Sequence, residues 1–163
     1  MTLQIRGFTF FTTLLLASLI SLTSSQSAQA DIQINRAPVT DNMMQLLLSK
    51  GVYLHDGHYW YDSHTGLWGY DGGPVQGQIW PGLPIQAKLP TDASRGQTGV
   101  YINNRELQLS ELHALSTYIQ LSKPGRYWLR ANGKGGMEGQ PASFDLSLRL
   151  PENAPSWHLA QAD

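Results

Sequence analysis

Three histidines, His55, His58 and His64, fall within ten residues of one another, with Asp56, Asp62 and Asp71 close by. Imidazoles and carboxylates at short range are the raw material of metal sites and of proton transfer. On an extended strand His58 and Asp62 would share the face of Trp60, because side chains alternate with period two. The H-x2-H-x5-H spacing, however, follows no zinc pattern, and a second, related stretch carries Arg126 and Arg130 where the first has His58 and Asp62. The histidines are therefore read as a polar hairpin rim, and no metal is expected.

Asp71 and Glu138 also occupy matched places, which raises a two-carboxylate glycosidase. Such a pair must face each other at about 5 to 9.5 Å, whereas a short acid in a glycine-rich turn ordinarily accepts hydrogen bonds from the turn's own backbone. Ser63 and His64 are only neighbours in a loop, no G-x-S-x-G run is present, and the chain has no cysteine. No catalytic residue and no cofactor are assigned.

The aromatic residues remain. Five tryptophans and seven tyrosines are many for so short a chain, and exposed rings are the usual means of gripping a sugar or a protein. Trp60 and Trp128 stand at matched positions and are assigned to packing. Trp68 and Trp80 have no aromatic counterpart, since Gly135 stands where Trp68 would. Trp68, Tyr70, Trp80 and His64 are accordingly the candidate ligand-binding residues.

The positions match because the chain writes one pattern twice, as YWYDSHTGLWGYDGGP from Tyr59 and as YWLRANGKGGMEGQP from Tyr127. Tyr59-Trp60 precedes Tyr127-Trp128 by 127 − 59 = 68 residues, while Gly66, Gly69, Gly72 and Pro74 precede Gly133, Gly136, Gly139 and Pro141 by 67. The missing residue falls in the loop between the strands, where its loss leaves both registers intact. Met44 and Leu47 likewise sit 68 before Leu112 and Leu115. Each unit, 42–76 and 110–144, then reads as helix, connection, strand, tight turn, strand and Gly-x-Pro exit. Rings on both faces of the hairpin demand cover on both sides, at about 1.5 to 3 kcal/mol for each large side chain. A helix on one face and the sister unit on the other would provide it. The fold class is α+β, two pseudo-symmetric helix-plus-β-hairpin units in one small domain.

In detail, the pattern predicts an extended arm over Asp31–Val39, a helix from Met43 to Ser49 opened by Asn42, and strands Val52–Leu54 and Tyr59–Tyr61 about an Asp56-Gly57 turn. An edge strand is expected within Val75–Trp80. The second half predicts a hairpin turning at Asn103-Asn104, a helix Glu111–Gln120 capped by Ser110, and a strand Phe144–Leu150.

At the ends, Arg6, the apolar stretch Phe8–Leu22 and the small-residue run closing on Ala28-Gln29-Ala30 read as a signal peptide over 1–30. That leaves 163 − 30 = 133 residues, 31–163, as a single exported domain, with a flexible tail from about 151 on which Trp157 could dock. Without cysteine there is neither a disulfide nor a lipid-acceptor thiol. Removing Arg6 leaves 11 − 1 = 10 basic against 12 acidic residues, with no block of like charge. Neither nucleic acid nor insertion in a membrane after signal cleavage is expected.

Over Tyr59–Leu150 the sequence resembles a family of exported bacterial proteins of unknown function. The residues that carry the likeness are Tyr59 to Pro74, Pro81-Gly82-Leu83, Thr98 to Leu107 and Gly125 to Leu129. That resemblance implies export but no reaction. The combined expectation is a secreted or periplasmic, non-catalytic binding module of the envelope or extracellular space, with an envelope protein or a glycan as partner. The rivals are a hydrolase of wall or polysaccharide substrates and a structural envelope subunit.

Overall fold

A computed structural model of the chain describes residues 31–121 and 124–146. The segment read as a signal peptide (1–30) and the tail from 151, with Trp157, lie outside the described residues.

Ten strands and two helices follow one another in two identical series. The first is β1 (Ile32–Ile34), β2 (Ala37–Pro38), α1 (Asp41–Ser49), β3 (Gly57–Tyr61), β4 (Leu67–Tyr70) and β5 (Gly77–Gln78). The second is β6 (Val100–Ile102), β7 (Arg105–Glu106), α2 (Leu109–Ser116), β8 (Gly125–Leu129), β9 (Lys134–Met137) and β10 (Phe144–Asp145). Each series makes one five-stranded sheet, ordered β2-β1-β3-β4-β5 and β7-β6-β8-β9-β10, with β1 parallel to β3 and β6 parallel to β8. This is an α+β fold of two similar units.

The folded repeat is longer than the pattern that begins at the helix. Asp31–Val39, expected as an arm, forms the hairpin β1–β2, and Ile32 to Ile34 precede Val100 to Ile102 by the same 68 residues. The turns between these strands, Asn35-Arg36 and Asn103-Asn104, both take positive φ, 52° and 64° in one and 48° and 78° in the other, as a two-residue hairpin loop requires. Each leading asparagine does a second job. The Asn35 amide donates to the Tyr61 carbonyl at 3.0 Å and accepts from the Tyr61 N–H at 2.9 Å, and Asn103 makes the same two bonds with Leu129 at 2.7 and 3.0 Å. A side chain thus continues the parallel ladder past the end of a three-residue strand. The turn signal was readable at Asn103-Asn104; Asn35-Arg36 lacks a glycine and hides it.

Other boundaries shift for local reasons. Thr40, not Asn42, caps α1, its hydroxyl accepting from Met43 N at 3.3 Å. Helix α2 begins at Leu109, and the Glu111 carboxylate reaches back to the Gln108 N–H at 2.8 Å. Val52–Leu54 is not a strand, and the hairpin turns over 62–66 rather than at Asp56-Gly57, because Gly57 is already paired with Ile32. The expected edge strand is cut to Gly77–Gln78.

Each helix covers the sheet face that carries Tyr59 and Tyr61, or Tyr127 and Leu129, with Leu47 and Leu115 buried beneath it. On the opposite face Trp60 is wholly buried among Leu67, Ala93, Val75 and Leu89. Its ladder partner is Gly69, where an added Cβ would lie 2.7 Å from the indole, so the ring lies on a bare backbone.

The second unit closes over Trp60. Arg105, buried, places its guanidinium 4.1 Å from the Trp60 ring centre and grips Glu111 through two 2.9 Å bonds and the Ser94 hydroxyl at 2.7 Å. Glu111 also accepts from Val75 N at 3.1 Å, and the Gln108 amide donates to Gly72 and Ser94 carbonyls. Buried Asp62 receives the Asn103 amide at 2.7 Å, and Ala131 N bonds the His64 carbonyl. The join is polar and fully partnered, as buried charge requires.

Candidate functional site

The four candidate residues do not form one cluster. Trp68 and Tyr70 lie on β4 opposite Tyr61 and Tyr59, so they point to the helix side of the sheet. Their rings meet Tyr59 at centre distances of 6.0 and 5.3 Å and each other at 6.1 Å, tilted or edge-on, the favoured arrangement for aromatic groups. Trp80, 56% exposed, sits beside the end of α1: its indole N–H reaches the Lys50 carbonyl at 3.3 Å and the Lys50 ammonium lies 5.7 Å from the ring. His64 is elsewhere. Its imidazole stands 3.4 Å from Asp62 in the turn that touches the second unit, so it belongs to the join and not to the aromatic face.

Beside Trp68 and Tyr70 a groove of about 370 Å³ runs between the sheet and the segment after α1. Ile34, Leu47 and Leu83 form its floor, and Tyr53 and His55 its outer lip. Tyr53 is 75% exposed, an unusual position for so large a ring. The groove exists because the two units are filled differently. In the second, Ile119 and Leu121 are buried against Leu115 and Tyr127. Counting back 68 residues, the first unit has Gly51 in place of Ile119 and exposed Tyr53 in place of Leu121. Trp68, by contrast, has a spatial counterpart after all. In the second unit Phe144 of β10 lies over Gly135, whereas in the first Trp68 of β4 lies over Gly77; the bulk has changed strands. Gly51 and Tyr53 went unnoticed among the site residues, although the 68-residue subtraction exposes both.

Tyr61 anchors the loop that floors the groove. Its hydroxyl donates to the Trp80 carbonyl at 2.6 Å and accepts from Leu83 N at 3.1 Å. Burial pushes its pKa up to about 12, and burial also raises that of Tyr59, aided by neighbouring Tyr70. Because the folded protein holds the Tyr61 proton beyond the ordinary pKa near 10, the stabilisation is complete below pH 10 and is lost as pH rises towards 12. Alkaline denaturation monitored by near-ultraviolet circular dichroism should show stability falling in that window by about 3 kcal/mol, with Tyr61→Phe flattening the slope.

The other constellations come apart. His58 pairs with Asp31 at 3.2 Å and His64 with Asp62. Among the described residues no three histidines, aspartates or glutamates are grouped as a metal would need. Asp71 and Glu138 each pair with an arginine of their own unit, Arg36 at 3.4 Å and Arg126 at 3.1 Å. The cleft of about 330 Å³ between the units is walled by Trp60, Leu107 and Leu115, and its charged groups Arg105, Glu111 and Asp62 already hold partners.

No protein-family profile matches the chain, and no solved structure matches it. Two plant proteins are similar in sequence. Extra-large guanine nucleotide-binding protein 1 of Arabidopsis thaliana is 36% identical over 88 residues, which are 53% of this chain and 10% of the relative. Extra-large guanine nucleotide-binding protein 2 of the same plant is 30% identical over 125 residues, 74% of this chain and 14% of the relative. The chain therefore spans only a small part of either relative. Nowhere does it carry the G-x4-G-K-[ST] phosphate loop: its one Gly-Lys pair, Gly133-Lys134, is followed by Gly135 and joins β8 to β9. Among the described residues no helix is long and apolar enough to cross a membrane.

These relatives correct the expectations drawn from the resemblance to exported bacterial proteins. Guanine nucleotide-binding proteins of a plant are not such a family, and the secreted or periplasmic placement, the envelope-protein or glycan partner, the wall hydrolase and the structural envelope subunit fall with it. The error has a physical source. The repeated tyrosines, tryptophans and glycines encode how this hairpin packs, and packing carries no address. What the chain is similar to is a segment of the plant extra-large guanine nucleotide-binding proteins.

Proposed function

We propose that the chain is a polypeptide-recognition module without chemistry of its own, related to a segment that the plant proteins carry in addition to their guanine nucleotide-binding part, and that it holds an apolar portion of a protein partner in the groove beside Trp68 and Tyr70. The observation that supports this reading is the difference between the two units: the space that Ile119 and Leu121 fill in one is open in the other, under an exposed Tyr53. An apolar pocket edged by a few polar groups is the usual form of a binding site. Exported, wall-directed roles have no part in this reading, and the missing phosphate loop puts the nucleotide outside it.

The test is retention of polypeptide segments from a displayed random library on the purified chain. Tyr70→Glu, at a half-exposed rim position, should reduce retention about tenfold or more, since it sets a charge against the apolar wall. Trp128→Ala, on the opposite face of the other unit, should leave retention unchanged. Equal effects of both substitutions, or tight binding of GDP in equilibrium dialysis, would count against the proposal.

A further inference from the structure

The segment that forms the outer wall of the groove has a property that the groove alone does not explain. Between α1 and β3 the backbone N–H groups of Tyr53 and Leu54 and the carbonyls of Val52, Tyr53 and Leu54 have no hydrogen-bond partner among the described residues. Val52 and Leu54 turn inward onto the core while Tyr53 stands out, the alternation of a strand with no neighbour beside it. Unpaired main-chain groups next to alternating pockets are the arrangement by which an extended peptide is bound as an added strand.

Resting on the reading of the groove as a polypeptide site, we propose that the first unit binds an extended segment of its partner by strand addition along Val52–Leu54, and that the segment carries two aliphatic residues two positions apart. The second unit supplies the template. There the chain's own Ile119 and Leu121, spaced by two, fill the equivalent space and are 3% and 6% exposed. The partner thus delivers in trans the pair that the second unit provides in cis. Charge at the rim adds one more feature. Lys50 lies against Trp80 at the end of the groove and forms no ion pair among the described residues, so an acidic residue beside the aliphatic pair meets an unopposed cation.

The experiment is selection of a phage-displayed library of linear peptides on the whole chain, followed by affinity measurement with synthetic versions of the enriched peptides. The expected consensus is aliphatic-x-aliphatic with an adjacent acid. Methylating the backbone nitrogen of the residue between the two aliphatics, which removes one main-chain donor and leaves the side chains in place, should weaken binding about tenfold. Lys50→Glu should weaken the acid-flanked peptides by several-fold and leave peptides with a neutral flank unaffected. Peptides that bind and are lost with Tyr70→Glu, yet show no two-residue spacing or tolerate backbone methylation, would overturn strand addition while leaving the groove as the site. Enrichment that is the same on the wild type and on Tyr70→Glu would overturn both.

Discussion

Replacing Arg105 with alanine is expected to lower the unfolding free energy by about 3 to 5 kcal/mol, measured by urea denaturation, because it strands a buried Glu111 carboxylate. Arg105 is 4% exposed, and its guanidinium holds Glu111 and Ser94 while lying flat on Trp60. Glu111 in turn accepts from Val75 in the first unit, so the loss is felt on both sides of the join. Double replacement, Arg105→Met with Glu111→Leu, should recover a large part of the stability, since it removes both charges and leaves apolar surface behind. If the single substitution costs less than about 1 kcal/mol, as an exposed ion pair would, the join does not exclude water as described.

The second large effect is a contrast between repeat-matched residues. Trp60→Ala should cost about 3 to 5 kcal/mol, the range for deleting a fully buried aromatic side chain, whereas Trp128→Ala should cost about half as much or less. The two indoles make the same internal bond, to the carbonyls of Gly73 and Gln140, both at 3.0 Å. They differ in what lies above. Trp60 is covered by the sister unit, while Trp128 is only half-buried and meets Arg130 at 5.7 Å. Equal losses would mean that a tryptophan's worth here is set by its own hairpin and not by the join.

Much of the architecture was legible because duplication lets a sequence be compared with itself. The 68-residue offset, the one-residue loss in the hairpin loop and the assignment of Tyr59, Tyr61, Tyr127 and Leu129 to the helix-covered face all correspond to folded elements. The first strand pair was not legible, since β1 and β2 together hold five residues and their asparagine turn lacks glycine. Val52–Leu54 misled in the opposite sense: its composition suits a strand, but a strand is made by its neighbour, and none of the described residues pairs with it. The aromatic candidates were half right in place. Trp68 and Tyr70 line the groove and Trp80 stands at its end, whereas His64 is drawn away by Asp62 into contact with the other unit. The groove itself is a deletion of bulk, and residues that are small where their counterparts are large attract no notice until the two copies are set side by side.

The asymmetry of the join also limits what this chain can build with itself. One unit offers Trp60 and Asp62 and the other answers with Arg105, Glu111 and Asn103; a head-to-tail contact of this kind, repeated between molecules, would grow into a filament. The outward faces have been disarmed at both ends. Arg130 stands where a further acceptor like Asp62 would be needed, and Ala37 and Met43 replace Arg105 and Glu111 at the other extremity. The tandem therefore terminates itself at two, and the chain can stay a discrete molecule although its internal contact is of the open-ended sort.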